Sequence, residues 1–351
     1  MSRVYLDWNA TTPLRPEARA AMIAAMDVVG NPSSVHGEGR AAKAVIERAR
    51  SQIAAACGAE ASDIVFVSSA TEGCAMALSG VLQGAGLTCG AVEHDAVLAW
   101  CDPFLPVDET GRVAVLAPEK AALQLANSET GVVQDVPRGL GFCDATQGFG
   151  KLAFAFEWTG AATAVISAHK FGGPKGVAAV LLRRGLDLPA IIKGGGQEMG
   201  RRSGTENIVG IAGMGAAAAA AARDLADGVW DGVADLRNIL ETALASSVNK
   251  TIFVGQGVAR LPNTSCVVSP GWKGETQVMN MDLAGFAVSA GSACSSGKVR
   301  ASRVLQAMGF DDTAAASAIR VSLGPSTTRE EVERFADAWL AQQRKYRAKA
   351  A

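Results

Sequence analysis

Short runs rich in β-branched and other apolar residues alternate with segments of helical spacing along the first half of the chain. Around residues 18–29 and 45–56, apolar side chains recur with the period of an α-helix. Such alternation is typical of an α/β domain, because each helix returns the chain across the sheet. We therefore predict a mainly parallel central sheet. Its candidate strands are residues 64–67, 113–116, 141–144, 164–167 and 177–182.

The second half of the chain predicts a smaller unit beside this sheet. A long helical region at 208–244 leads to candidate strands at 264–268 and 284–289. Thr328 and Glu331 form a capping box that begins the closing helix. With 351 residues and 49% hydrophobic content, the chain is large enough for two domains. The predicted division is a large domain at 13–235 and a smaller α+β domain made of 1–12 and 236–351.

Charge and cysteine usage exclude several classes of protein. The formal net charge is −1, so long-range attraction gives no reason to expect nucleic acid or an anionic membrane as a partner. The longest apolar stretch, 208–222, is shorter than the roughly 20 residues of a membrane span, and the N-terminus lacks the pattern of a secretory signal. The seven cysteines are scattered without a Cys-x-x-Cys pair, so we expect a cytoplasmic protein with no metal site.

One lysine follows a strand-like run and precedes a tight turn. The segment Val165-Ile-Ser-Ala-His-Lys-Phe-Gly-Gly-Pro174 presents Lys170 from the end of a predicted strand, where a lysine that forms a Schiff base is useful. This arrangement suggests pyridoxal phosphate as cofactor. The alternative is that Lys170 is a solvated surface residue, as most lysines beside Gly-Pro turns are.

Other segments supply groups that such a cofactor needs. Thr71 and the free amides of a helix start follow the strand at 64–67 and form an anion cup, although an ordinary helix cap has the same sequence. His94 can lie on the cofactor ring, and the alternative is a structural histidine. Asp144 can keep the ring nitrogen protonated, so that the ring withdraws electrons, or it can cap a turn. Gln147 can then bind the ring oxygen.

Two further segments extend this set. Ser167, at the end of a strand, can add a phosphate contact, and the glycine-rich run 194–205 lets its backbone approach an anion or another chain closely. Cys294 stands apart from the other cysteines, because its neighbours in Ser289-Ala-Gly-Ser-Ala-Cys-Ser-Ser-Gly297 are all small or polar, as in an exposed flexible loop. A thiol on such a loop can reach beyond its own domain.

Eight ordered motifs resemble those of NifS/IscS-type cysteine desulfurases in the class V aminotransferase family, and they extend over nearly the whole chain. They are Leu6-Asp-Trp-Asn-Ala-Thr-Thr-Pro13, Asn31-Pro-Ser-Ser-Val-His-Gly37, Ala70-Thr-Glu72, Glu93-His-Asp-Ala-Val97, Asp144-Ala-Thr-Gln147, Ser167-Ala-His-Lys170, Arg202-Ser-Gly-Thr-Glu-Asn207 and Ser289-Ala-Gly-Ser-Ala-Cys294. The resemblance implies a homodimeric pyridoxal phosphate enzyme of fold type I, with the cofactor on the large domain and the cysteine loop on the smaller one.

The resemblance also implies a role for each motif residue. Lys170 would hold the cofactor, His94 would stack on it, Asp144 would pair with the ring nitrogen and Gln147 with the ring oxygen. The phosphate would be bound by Ala70, Thr71, Ser167 and His169, with Thr205 reaching it from the neighbouring subunit. Arg320 and Asn9 would bind the substrate, and Arg320 suits its carboxylate because the guanidinium offers two parallel donors. Cys294 would be the nucleophile, and Lys170 and His94 would move protons.

The implied activity is that of a cysteine desulfurase. L-Cysteine would be converted to L-alanine, and its sulfur would form a persulfide on Cys294 that passes to an acceptor or scaffold protein, for iron–sulfur clusters or for thiolated cofactors and tRNA. Two alternatives stay open. One is a related lyase or transaminase acting on another amino or seleno-amino acid, and plain transamination needs no thiol at Cys294. The other is a cofactor-binding scaffold of low activity.

The chain departs from the family pattern at two places. Where the family has Ala-Asn-Asn-Glu-x-Gly, this chain has Ala126-Asn-Ser-Glu-Thr-Gly131, so Ser128 replaces an asparagine that faces cofactor and substrate. Serine is shorter and lacks the amide donor, which predicts slow turnover. The chain is also shortened within 101–123 and 134–144. Loss of a helix there should uncover part of the sheet, and we expect a sulfur acceptor or assembly protein to dock along 111–122.

Overall fold

The computed structural model describes residues 3–81, 86–246, 251–291 and 301–350. Its strands are β1 (Val4–Tyr5), β2 (Ile64–Val67), β3 (Thr88–Gly90), β4 (Asp102–Leu105), β5 (Ala122–Gln124), β6 (Phe142–Asp144), β7 (Thr163–Ser167), β8 (Ala178–Leu182), β9 (Ile252–Phe253), β10 (Thr264–Val268), β11 (Phe286–Ala287), β12 (Ser289–Ala290) and β13 (Ala318–Ser322). Its helices are α1 (Pro16–Met26), α2 (Gly37–Cys57), α3 (Ala70–Met76), α4 (Asp95–Leu98), α5 (Phe156–Thr159), α6 (Ile208–Ala226), α7 (Val229–Ala245), α8 (Gly274–Leu283), α9 (Arg303–Ala307), α10 (Asp312–Ala315) and α11 (Arg329–Ala350).

The central sheet has five strands in the order β2-β8-β7-β6-β5. Strands β5, β6 and β7 pair in parallel, and β8 runs antiparallel to both of its neighbours, β2 and β7. Four of the five strands therefore point the same way, which confirms the predicted α/β class with a mainly parallel sheet. Four of the five candidate strands lie in this sheet, with bounds shifted by at most one residue.

Both faces of this sheet are buried, which explains why its strands read as continuous apolar runs. In β2, Ile64 and Phe66 pack with the residues of α2 and α6 in one hydrophobic cluster. Val65 and Val67, which alternate with them, pack on the other face with residues of α3. The sheet is therefore covered by helices on each side.

A second sheet and core form the smaller unit. Strands β12, β13, β10 and β9 pair antiparallel in that order, and α7, α8 and α11 pack around Trp272 and Trp339. Val4 and Leu6 lie in this second core, and β1 pairs with β11. The N-terminal residues thus pack against elements that are distant from them in the sequence. The domain boundaries given above stay a prediction.

Three details differ from the predicted elements. Residues 113–116 are not a strand: Val113 forms only an isolated bridge with Val107, and Leu116 is 81% exposed. The candidate strand at 284–289 is divided between β11 and β12, which pair with different strands. The helical region 208–244 is two helices, because Gly228 has a φ of 72° and so leaves the helical conformation between α6 and α7.

Helix α6 is long and apolar enough to cross a membrane. In the structure it packs against α1 and α2, and Met214, Ala217 and Ala218 are fully buried in the main core. The predicted buried helix is confirmed. The capping box at the start of α11 is also confirmed, since Thr328 and Glu331 each accept a hydrogen bond from the other's main-chain N–H.

Strands β3 and β4 form a separate two-stranded parallel sheet in the shortened part of the chain. Phe104 on β4 is 83% exposed, and Leu116 is similarly exposed. Large exposed apolar side chains therefore occur where the sequence predicts an uncovered face. Docking of an acceptor at 111–122 stays a prediction.

Candidate active site

The predicted cofactor residues follow strands that end at one edge of the central sheet. Ser68 follows β2, Asp144 ends β6 and Ser167 ends β7, and these three strands point the same way. The carboxyl edge of a parallel sheet is the usual place for a ligand site in α/β proteins, because the loops that follow the strands meet there. The fold therefore brings segments 68–71, 144–147 and 167–170 to one edge.

Lys170 lies in a single 3-10 turn that follows β7. Its Nζ donates hydrogen bonds to the main-chain oxygens of Asn9 and Ala10, at 2.7 and 3.0 Å, and Thr12 Oγ1 donates to the main-chain oxygen of Lys170 at 2.9 Å. Lys170 also lines a cavity of about 260 Å³ together with Trp8. The amine is therefore held at the junction with the N-terminal segment, and the solvated-surface alternative does not describe it.

A buried network surrounds the amine of Lys170. Gln147 Nε2 donates to the main-chain oxygen of Asn9 at 2.9 Å. Lys151 Nζ donates to Gln147 Oε1 at 3.0 Å and to Asn9 Oδ1 at 3.1 Å. Asn9, Gln147 and Lys151 are all buried. Two of the predicted site residues are thus joined by a second lysine, which the sequence analysis missed.

Lys151 follows the Asp144-Ala-Thr-Gln147 motif by four residues, and the turn after β6 places it on the same side as Gln147. Burial, followed by the charges of Lys170 and Arg320, holds the pKa of Lys151 well below its ordinary value. No carboxylate pairs with it among the described residues. In the sequence, the one indication of this role is that Lys151 stands in an otherwise apolar segment directly after the Asp144-Ala-Thr-Gln147 motif.

Asp144 and His94 both make local turn contacts. Asp144 Oδ1 accepts the main-chain N–H of Thr146 at 2.9 Å, so this carboxylate does cap its turn. His94 Nδ1 accepts the main-chain N–H of Ala96 at 3.1 Å, and a neutral ring then carries its proton on Nε2. These contacts use one atom of each side chain. The roles that the resemblance implies for Asp144 and His94 stay predictions.

The loop that carries His94 is fixed to the end of β5. Gln124 Nε2 and Asn127 Nδ2 both donate to the main-chain oxygen of Val92 at 3.0 Å, and Glu93 Oε1 accepts the main-chain N–H of Gln124 at 2.8 Å. Burial raises the pKa of Glu93 well above its ordinary value, and Asp144 raises it further, although the Gln124 hydrogen bond opposes this. His94 is thereby held near the carboxyl edge of the sheet.

The predicted anion cup lies at the start of α3. Ser69 caps the helix by accepting the main-chain N–H of Glu72 at 3.2 Å. Glu72 accepts hydrogen bonds from Ser68 and from Arg202, whose Nε lies 2.9 Å away, and these contacts hold the pKa of Glu72 below its usual value despite its partial burial. Within the described chain, the amides of Ala70 and Thr71 have no hydrogen-bond partner, as is usual in a first helical turn. They can receive an anion.

The other predicted phosphate contacts divide between buried and exposed positions. Ser167 is buried, and His169 Nδ1 lies 3.2 Å from Thr11 Oγ1. Burial, with smaller effects of Lys170 and Lys175, lowers the pKa of His169 to about 4, so the ring is neutral at physiological pH. Thr205 is exposed and lines a cleft that also contains Ser68. Its predicted reach into a neighbouring subunit stays a prediction.

Arg320 on β13 contacts the same N-terminal segment as Lys170 does. Its Nη2 donates to Asp7 Oδ1 at 2.7 Å, and its Nη1 donates to the main-chain oxygen of Ser128 at 3.0 Å. Its buried Nε has no hydrogen-bond partner among the described residues. A bound carboxylate could supply that partner or displace Asp7.

Asn9 uses its whole side-chain amide inside the protein. Nδ2 donates to Thr264 Oγ1 at 2.8 Å and to the main-chain oxygen of Ser128 at 3.3 Å, while Oδ1 accepts from Lys151 and from Asn263 Nδ2 at 3.1 Å each. Contact with a substrate would require Asn9 to give up one of these bonds. The predicted substrate contact stays a prediction, and the observed role of Asn9 is to connect both parts of the site.

Cys294, the predicted nucleophile, lies outside the described residues.

Glu129 is a further residue of the site that was not predicted from the sequence. Its Oε2 accepts a hydrogen bond from the Ser302 hydroxyl at 2.6 Å. Burial raises the pKa of Glu129 to about 7, even though the Ser302 hydrogen bond and the charge of Arg320 act in the opposite direction. A carboxyl group that titrates near neutral pH thus lies close to Arg320.

Comparison with known proteins agrees with this fold. Residues 4–335 match the family model described as aminotransferase class-V. A cysteine desulfurase of Cereibacter sphaeroides is 42% identical, over 95% of this chain and 94% of its own. The crystal structure of a NifS-like protein from Rickettsia africae superposes with a TM-score of 0.89 at 32% identity, covering 98% of this chain and 99% of its own. A structure of SspA in complex with cysteine has a TM-score of 0.76 at 25% identity, covering 93% and 100%.

The fold and these matches define a pyridoxal phosphate-dependent enzyme of fold type I. The chain belongs to the class-V aminotransferase family. Its residues fit the cofactor, because the edge of the central sheet offers a lysine amine and two helix-start amides suited to a phosphate. Arg320 on β13 adds a guanidinium whose Nε has no partner in the part of the chain that the structure describes.

Proposed function

We propose that this chain is a cysteine desulfurase, which removes sulfur from L-cysteine and releases L-alanine. The observation that carries the proposal is the position of Lys170, held by the carbonyl oxygens of Asn9 and Ala10 at the junction with the segment that also binds Arg320. The curated relative from Cereibacter sphaeroides has this activity in its name, and SspA was solved with cysteine.

The residues of the chain would divide the work as follows. Lys170 would hold pyridoxal phosphate covalently through Nζ, and the amides of Ala70 and Thr71 would bind its phosphate. When bound, the cofactor would withdraw electrons from the substrate and make its carbon–sulfur bond labile. Lys170 Nζ and His94 Nε2 would move protons.

Arg320 would bind the substrate carboxylate. Its Nη2 already binds a carboxylate oxygen of Asp7, so exchange of one carboxylate for another conserves the geometry. Gln147 would offer its remaining Nε2 hydrogen to the cofactor ring, and Asp144 its second oxygen. Cys294 would take the sulfur as a persulfide and deliver it to an acceptor, for iron–sulfur clusters or thiolated products.

The decisive experiment combines substrate and mass spectrometry. The purified protein, loaded with pyridoxal phosphate, is incubated with L-cysteine without reductant, and alanine is quantified while peptides are searched for one added sulfur atom. We expect added sulfur on Cys294 and none on Cys57, which is buried. Alanine release that persists in Cys294→Ala would favour the lyase or transaminase alternative. A protein that binds the cofactor but releases no alanine would be a scaffold.

We further propose a homodimer located in the cytoplasm. The six described cysteines are free thiols, as expected in a reducing compartment. Thr205 is exposed at the surface and could complete the phosphate site of a second subunit. Light scattering of the purified protein tests this, and a monomer that retains full activity would contradict the shared site.

A further inference from the structure

Lys151 joins two residues of the network around Lys170. Lys151 is only 3% exposed. Its amine contacts two residues that the proposed function places at the cofactor and substrate. The Lys151 side chain can only donate hydrogen bonds, except through the lone pair of a neutral amine. The atoms that it contacts on Asn9 and Gln147 are therefore their amide oxygens.

We infer that Lys151 is a positioning residue: its buried amine binds the side-chain oxygens of Asn9 and Gln147 and thereby fixes both amides in the site. This inference rests on the proposed function, because it concerns residues that would hold pyridoxal phosphate. Lys151 would not touch the cofactor. Lys151 would act through Gln147: because the lysine binds Oε1 of Gln147, the Nε2 of that amide points away from the lysine.

The hydrogen-bond count supports this assignment. The amine of Lys151 has two acceptors, at 3.0 and 3.1 Å, and both are side-chain amide oxygens. One Nε2 hydrogen of Gln147 goes to the main-chain oxygen of Asn9, so one hydrogen stays available to a ligand. Because Lys151 binds Oε1, the amide of Gln147 is held in the orientation that presents this Nε2 hydrogen to the ligand.

Lys151 also controls what Lys170 can bind. Lys170 Nζ donates to the carbonyl oxygens of Asn9 and Ala10, whereas both side-chain oxygens of the network are bound to Lys151. Without Lys151, the buried Oε1 of Gln147 would lose its donor, while Oδ1 of Asn9 would keep only the donor from Asn263, and a buried acceptor without a partner is unfavourable. Gln147 or Lys170 would then move to satisfy these oxygens.

A double-mutant cycle tests the inference. The variants are Lys151→Met, Gln147→Leu and the double variant, and the measurement is the dissociation constant of pyridoxal phosphate, obtained by absorbance titration of the cofactor-free protein. We expect Lys151→Met to weaken binding about 3- to 10-fold in the presence of Gln147, and less than about 2-fold when Gln147 is already Leu. The absorption band of the bound cofactor should shift in Lys151→Met and in Gln147→Leu in the same direction.

The control is Gln343→Met on α11. Gln343 is also 3% exposed and donates a hydrogen bond to Ser269 Oγ, far from the site in the smaller core. It should lower the melting temperature without changing the dissociation constant. Equal weakening by Lys151→Met in both backgrounds would overturn the inference, because a purely structural lysine predicts that result. Failure of the wild-type protein to bind the cofactor would instead overturn the proposed function.

Discussion

The amine of Lys170 lies 2.7 Å from the main-chain oxygen of Asn9, so the residue proposed to carry the cofactor is held by the N-terminal segment. We expect Lys170→Ala to abolish the visible absorbance of the bound cofactor and to lower kcat by about 10²- to 10⁴-fold, since a proton-transfer group is lost with the covalent link. Absorbance spectra and alanine release measure both effects. Lys175→Ala, at an exposed lysine in the same segment, should leave both unchanged.

Ser128 contributes to the site through its main chain. Its carbonyl oxygen accepts hydrogen bonds from Arg320 and Asn9, while its hydroxyl forms no hydrogen bond with either residue. We therefore expect Ser128→Asn to leave Arg320 in place and to add an amide donor toward the ligand. The value of kcat/KM for L-cysteine should rise about 2- to 10-fold, as one hydrogen bond allows. Ser128→Ala is the matched control and should give no gain.

Glu129 should make the stability of the protein depend on pH. Its pKa is raised by burial to about 7 from an ordinary value of 4.5, so the folded state binds its proton more tightly than the unfolded state does. The free energy of unfolding should therefore fall as pH rises from about 4.5 to 7, by no more than about 3 kcal/mol because the residue keeps some solvent contact. In Glu129→Gln, the free energy of unfolding should no longer show this decrease with pH, which urea denaturation at several pH values measures.

The control for this pH dependence is Glu109→Gln, at an exposed carboxylate. Its stability should follow that of the wild type at every pH. If Glu129→Gln and the wild type keep a constant difference between pH 5 and 8, Glu129 does not titrate in this range in the folded protein.

Much of this architecture could be predicted because local pattern and burial agree. Strands β2 and β8 are apolar throughout, β7 is apolar between Thr163 and Ser167, and all three are buried on both faces, so their sequences identify them. Residues 113–116 have a similar apolar composition but do not pair with a neighbouring strand. Strand pairing depends on the tertiary structure, so composition alone does not predict it. The division of 284–289 between β11 and β12 likewise depends on β1, which lies far away in sequence.

The site was predictable where motifs carry it and not where packing does. Lys170, Asp144 and Gln147 stand at strand ends that the sequence shows. Lys151 and Glu129 gain their significance from burial and from partners distant in sequence, such as Asn9 and Ser302. No single-sequence pattern marks a lysine or a glutamate as buried, because both are usually solvated.

The buried pair of Arg50 and Glu198 fixes the glycine-rich run that carries Thr205. Arg50 Nη1 and Nη2 donate to the two carboxylate oxygens of Glu198 at 2.9 and 2.7 Å, and Glu198 also accepts the main-chain N–H of Phe66 on β2 at 2.8 Å. Glu198→Ala would leave the Arg50 charge and the Phe66 amide without that partner. We expect a loss of about 3–5 kcal/mol in the free energy of unfolding, measured by urea denaturation.

The double variant Arg50→Met/Glu198→Met separates charge burial from packing. Because it removes both charges and keeps apolar volume, it should be more stable than Glu198→Ala. Arg201 of the same run pairs with Asp187, whose side chain is 88% exposed, and Asp187→Ala should cost no more than about 1 kcal/mol. If Glu198→Ala lowered the free energy of unfolding no more than Asp187→Ala does, the buried pair would not be what holds Thr205 near β2. The contact between Glu72 and Arg202 would then have to fix the glycine-rich run.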